Sequence, residues 1–348
     1  MTRILHIIHA PDSPDWDLLK NASANGMEHL ILGARTEDTP GTCDCPGVVM
    51  GDIPTADIHL IHAHSWMADG STAWKIHQEQ GIPYILSLSE EDIQYAHALS
   101  LRLHSDRLRI LQDASKVIFP HPQFFHAFNQ ALSDSQADQL FGKSSIICRS
   151  IQPLFLQQLY LHKPVALVHI RLLYIVQHPD YESELSLIHK AMKEIQHQNL
   201  SVSLTVAASS LSAKEQDKIK RQGVQWAPYT TAEELLEIYR AHHIVLMIGD
   251  RLQSTCRFAE ALSQGMPVIY SRHSCLDGLI DNPECRIEKD HTHTLAEKII
   301  EISQRYATAI HHISELHPLL KFNGREIAQE YHRLYAICHS LHNHDSRI

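Results

Sequence analysis

The chain has 348 residues, of which 44% are hydrophobic and 20% charged, a globular composition long enough to bury two cores. Thirty basic residues against forty acidic ones give a formal charge of −10, which argues against a general nucleic-acid binder that must neutralise phosphates. The seven scattered cysteines form no disulfide framework, no apolar run approaches the ~18 residues of a membrane span, and Met1–His9 is too short and polar for a signal peptide. A cytoplasmic protein is therefore expected.

Short β-rich runs alternate with helical patterns, the signature of parallel sheets with crossover helices. Strands are expected at Ile4–Ile8, His29–Leu32, Ile58–His62, Tyr84–Leu88, Val117–Phe119 and Ile146–Cys148, with helices near 15–24, 66–79, 92–113 and 123–131. After Pro153 and Pro164 the alternation restarts, with strands at Arg171–Val176, Val202–Ala207, Val224–Ala227, Ile244–Ile248 and Val268–Ser271. Thr231-Ala-Glu-Glu234 and Thr294-Leu-Ala-Glu297 read as capping boxes, and Asn323-Gly-Arg-Glu326 opens a last helix of about Gly324–His339. The expected organisation is an α/β chain with Rossmann-like domains at 1–155 and 156–320 and a terminal helix within 321–348.

Several segments, in order, resemble one family. Phe258-Ala-Glu-Ala-Leu-Ser-Gln-Gly-Met-Pro-Val-Ile-Tyr270 resembles the donor-site helix and following strand of family-4 glycosyltransferases of the GT-B fold. Ala56–Met67 is similar to the family's strand ending in a His-x-His-like turn, and Gly81–Ile93 to its next strand and acceptor-side loop. Ala114–Phe119, Ala232–Arg240 and Lys321–Tyr331 fit the later strand, the helix before the donor loop and the terminal helix. The resemblance implies two facing Rossmann-like domains, the first on the acceptor side and the second on the nucleotide-sugar side, with the terminal helix packed back on the first. It also implies transfer of a hexose from a nucleotide sugar to a surface-glycan or lipid-linked acceptor, with retention and without a metal or other cofactor. Such a protein works in the cytoplasm or peripherally at the inner membrane face, where Arg102, Arg107 and Arg109 are candidate contacts.

The donor-site pattern is incomplete. Glu260 matches the family's ribose-holding Glu, but Leu252 stands where the sugar-holding Glu belongs and Thr255 where a glycine usually follows. Gln177 occupies the place of a phosphate-binding Arg or Lys, and Glu182 or Ser183 falls near the next basic position. Arg251 and Arg257 are candidates to hold a diphosphate instead, and Asp250 a candidate for a sugar hydroxyl; the plainer reading makes Arg257 and Glu260 an i, i+3 ion pair. His64 and Ser89 are the acceptor-side candidates. These losses raise a second expectation, a catalytically silent GT-B pseudo-transferase that binds a glycan or partners an active glycosyltransferase.

Histidine is abundant, with 28 residues. His62 and His64 alternate onto one side of a strand end, but the sequence identifies no third ligand for a metal. His291, His293, His311, His312, His339, His342 and His344 read as solvated residues. Histidines buried neutral would make the fold acid-sensitive between about pH 6.5 and 5.

Overall fold

The computed structural model describes residues 2–8, 27–33, 57–89, 92, 105–130, 132–160, 168–177, 181–249, 255–272, 276, 279, 283–288, 291–315 and 322–345. The expected helix at 15–24 lies outside the described residues, as do residues 9–14 before it and two of the cysteines, Cys43 and Cys45. Two compact units form, Met1–Ser150 with Gly324–Ile348, and Ile151–Asn323.

Unit 1 begins with β1 (Thr2–Ile8), β2 (Met27–Gly33), β3 (Leu60–Ala63), α1 (Gly70–Gln80), β4 (Tyr84–Ser87), α2 (Ser105–Asp113), β5 (Lys116–Phe119), α3 (Pro122–Gln130), α4 (Asp134–Phe141) and β6 (Ser144–Ile146). Its strands lie in the order β2-β1-β3-β4-β5-β6, and every pairing is parallel. Runs such as Ile4, Leu5, Ile7 and Ile8 are buried on both faces, as a covered parallel sheet requires.

Unit 2 contains α5 (Pro153–Gln157), β7 (His169–Ile175), α6 (Glu182–His197), β8 (Ser201–Ala208), α7 (Ala213–Arg221), β9 (Gln225–Pro228), α8 (Ala232–Arg240) and β10 (Ile244–Met247). It continues through α9 (Thr255–Ser263), β11 (Val268–Ser271), β12 (Arg286–Ile287), α10 (Thr292–Gln304) and α11 (Tyr306–Glu315). Its sheet, also wholly parallel, has the order β12-β11-β10-β7-β8-β9.

The chain then returns to unit 1 through α12 (Gly324–Asp345). Ile327, Tyr331, Leu334, Tyr335 and Cys338 recur at helical spacing and form a core with Ile4, Leu60, Ile85, Ile118 and Ile147. One apolar residue from each of β1, β3, β4 and β5 thus meets one stripe of the helix.

Two local expectations change. The sixth strand is Ser144–Ile146 rather than Ile146–Cys148, because Ile147 leaves the strand to join the α12 core while its amide donates to Phe119 O at 3.0 Å. Thr294 is no cap: α10 starts at Thr292 after His291, so the hydroxyl sits inside the first turn. Capping boxes do form at Thr231/Glu234, Ser133/Gln136 and Ser212/Glu215.

Ile327, in the first turn of α12, belongs to this core and is 2% exposed. Ile327→Ala is expected to lower unfolding free energy by about 2–4 kcal/mol in urea denaturation, the usual range for a truncated core aliphatic. A loss below about 1 kcal/mol would show that α12 is not part of the unit's core.

Candidate functional site

Ligands of doubly wound sheets gather at the carboxyl ends of the strands, where the strand order reverses. That point lies between β1 and β3 in unit 1, and between β10 and β7 in unit 2. The candidate residues cluster near both points.

In unit 1, His64 follows β3. Its amide donates to Ile7 O at 3.1 Å, and its Nε2 lies 3.0 Å from His6 Nδ1. Ser89 follows β4 and is engaged with Asp92: its amide donates to Asp92 Oδ2 at 2.8 Å, and its hydroxyl accepts the Asp92 amide at 3.1 Å. Asp92, 2% exposed, also accepts the amides of Trp66 and Met67, each at 2.9 Å. It therefore ties the turn after β3 to the loop after β4. Arg107 donates to Met67 O at 3.0 Å, and Arg109 is exposed. Arg102 lies outside the described residues.

His62 and His64 do share a side, and β1 adds a third imidazole that the spacing did not reveal. His6 is in register with His62. Neither is exposed at all. His62 Nδ1 lies 2.7 Å from Tyr335 Oη and its Nε2 lies 2.8 Å from Ser87 Oγ, so it bonds to side chains and not to strand-end backbone. His6 Nε2 lies 2.8 Å from His29 Nδ1. Burial, reinforced by the neighbouring imidazoles, pushes His6 and His62 well below the usual histidine range, and burial with His332 pushes His29 down to about 4. His6, His29 and His62 are therefore neutral at physiological pH.

In unit 2, Glu260 sits in the second turn of α9 and is only 4% exposed. Arg257 donates to Glu260 Oε2 at 2.7 Å and Tyr239 Oη donates to the same oxygen at 3.2 Å. The Arg257 guanidinium also stacks over Tyr229, 5.5 Å from the ring centroid. Burial raises the Glu260 carboxyl, and the Arg257 charge opposes that rise. The i, i+3 pair thus forms, but as a half-buried network spanning three elements. Asp250 and Arg251 lie outside the described residues, as does Leu252.

The switch point itself holds a residue that the sequence reading passed over. Glu184, in the first turn of α6, is 6% exposed and accepts a 2.5 Å hydrogen bond from Tyr174 Oη of β7. Gly249, directly beyond β10, has φ +109°, and a Cβ there would fall 2.5 Å from Glu184 Oε1. Only glycine fits. Glu182, expected near this spot, instead points outward with its side chain 62% exposed and pairs with Lys218 at 2.5 Å. Glu184 had a signal: it precedes Ile188, Ala191 and Ile195 on one buried stripe of α6.

Two expectations follow. Glu260→Ala should cost about 2–3 kcal/mol in denaturant unfolding, below the range for a fully buried pair because Arg257 keeps some solvent contact, and Glu260→Gln should cost less. Acid should also weaken the fold through His6, His29, His62, His242 and His332, whose folded values are all depressed, chiefly by burial. Their stabilisation is complete above the unfolded value near 6.5. It falls by up to about 1.4 kcal/mol per pH unit for each group as the unfolded chain takes up protons that the folded one refuses. The thermal midpoint should drop between pH 6.5 and 5; a flat midpoint would mean that these rings are solvated.

No family model matches the chain, and no curated protein matches it. Solved structures do. Sucrose-phosphate synthase from Thermosynechococcus elongatus superimposes with a TM-score of 0.70 at 17% identity, covering 98% of this chain and 100% of its own. A glycosyltransferase from Rickettsia africae gives 0.64 at 12% identity, covering 97% and 98%. Anabaena HepE in complex with UDP and glucose gives 0.64 at 13% identity, covering 97% and 100%. At these identities the likeness is one of fold: two parallel six-stranded sheets with flanking helices, the GT-B architecture of these glycosyltransferases.

Proposed function

We propose that the chain is a glycosyltransferase-like protein that takes a nucleotide sugar at the switch point of unit 2 and passes a hexose to a surface-glycan or lipid-linked acceptor. The observation that carries this reading is the likeness of fold over nearly the whole chain to glycosyltransferases, one of them in complex with UDP and glucose. The site supports it in part. α9 begins at Thr255, shortly after β10 in the chain, and a helix N-terminus suits a diphosphate; Arg257 lies in its first turn. Glu260, itself bonded by Tyr239, and the Tyr229 ring hold that guanidinium in one rotamer, which lowers the entropy lost on binding. The proposed setting is the cytoplasm or the inner membrane face. Among the described residues no helix is long and apolar enough to cross a membrane.

One observation favours the second reading, a catalytically silent protein that binds a glycan or partners an active transferase. A transferase stabilises its departing diphosphate with positive charge, yet here the buried Glu184 carboxylate occupies the switch point. A like charge at that position opposes diphosphate binding by about 1–4 kcal/mol.

Calorimetry with UDP, GDP, ADP and their sugars separates the two. The transferase reading expects saturable binding of one nucleotide sugar, slow release of free sugar from it, and loss of binding in Glu260→Ala. Glu184→Gln should then tighten binding about tenfold by removing the repulsion. Nucleotide binding without turnover, or none at all in either protein, would leave the silent reading.

A further inference from the structure

We propose that His6, His62 and His64 form a binding site for a divalent transition-metal ion of the zinc class. The site is distinct from the nucleotide site proposed above, because it is built wholly within unit 1. One ligating nitrogen from each ring lies within 4.8 Å of the other two. They come from adjacent strands: His6 from β1, His62 from β3 in register with it, and His64 from the turn that follows. Neighbouring parallel strands fix the first two imidazoles more firmly than a loop would.

The distances suit a metal. Two bonds of about 2.0–2.1 Å at a tetrahedral angle place their nitrogens roughly 3.3 Å apart. His6 Nδ1 and His64 Nε2 are 3.0 Å apart, sharing one proton, so an ion replacing that proton has only to spread them by a few tenths of an ångström. The outer partners are already in place. With His6 Nδ1 on the metal, its Nε2–H donates to His29 Nδ1, 2.8 Å away, the oriented second contact that metal-bound histidines use. His62 is held by Tyr335 Oη and Ser87 Oγ, and whichever nitrogen turns to the ion, the other keeps its hydroxyl. Buried neutral rings carry the free lone pairs that ligation needs.

The ligand set selects the ion. Three imidazoles and no carboxylate suit Zn2+, Co2+, Ni2+ or Cu2+ over Mg2+ or Ca2+. His64 is partly exposed, which gives the ion an entry path and leaves a fourth position for water. Because Tyr335 of α12 bonds to His62, a bound ion would also brace α12 against β1 and β3.

The test uses the full chain, stripped with a chelator and titrated with Co2+ and then Zn2+ at pH 7.5. One equivalent of Co2+ should bind with the visible absorption of a tetrahedral nitrogen and oxygen site and no thiolate charge-transfer band. Zn2+ should displace it and raise the thermal midpoint in proportion to the logarithm of its concentration. His64→Ala, which alters a partly exposed ring and leaves the core intact, should weaken Co2+ binding by about 10–100-fold. His293→Ala, whose side chain is 73% exposed, should leave it unchanged. The proposal is overturned if no tetrahedral spectrum appears, if a thiolate band accompanies it, or if His64→Ala binds Co2+ as the parent does.

Discussion

Parallel pairing is the constraint on which the molecule depends. Every strand pair in both sheets runs parallel, so all carboxyl ends of a sheet lie on one edge and each helix must cross back over a face. At one place per sheet the crossovers part in opposite directions. Unit 1 puts His6, His62 and His64 near that place, and unit 2 puts Glu184 and Gly249 there. The chemistry concentrates where the topology opens the backbone.

In unit 1 the same constraint sets a polarity along the sheet face under α12. β1 passes from Ile4 to His6, β3 from Leu60 to His62, and β4 from Ile85 to Ser87, each over one two-residue repeat. The helix matches this gradient: Tyr335 is apolar to the isoleucines and offers its hydroxyl to His62. A phenol is suited to such a boundary because its ring buries and its oxygen still finds a partner. Packing and polar positioning are therefore one contact.

Much of this was legible in the sequence, and the remainder was not for definite reasons. Strand runs such as Tyr84–Leu88 and the Thr231/Glu234 cap declare themselves through local composition, and the order of motifs implied the fold. His62 and His64 could be placed on one side because strand alternation is local. His6 could not be joined to them, since only the β1–β3 register brings it there. The spacing of Arg257 and Glu260 was readable, but the burial of Glu260 depends on Tyr239 from another helix. Glu184 was hidden by its charge: a carboxylate on an apolar stripe reads as an interruption until Tyr174 and Gly249 explain it.

The two units bury polarity in opposite ways, and the difference has a physical consequence. Around Glu260 the carboxylate is buried beside its counter-ion, and the Arg257 charge opposes the rise that burial imposes on the carboxyl. Around His62 the described partners are imidazoles and hydroxyls, and a proton added there enters without a counter-charge. Each added proton also repels the next, because the rings of His62 and His64 stand 4.0 Å apart and those of His6 and His64 5.3 Å apart. Acid is therefore resisted group by group in unit 1 until the unfolded chain, whose histidines ionise freely, becomes the better proton acceptor. Unit 2 has a depressed histidine of its own in His242, lowered by burial and by the Arg171 charge, but that ring is bonded to Thr205 Oγ1 and Ile238 O, and the latter bond opposes the fall. Acid should accordingly open unit 1 ahead of unit 2, and the order follows from several mutually repelling rings in one and, among the described residues, a single depressed ring in the other.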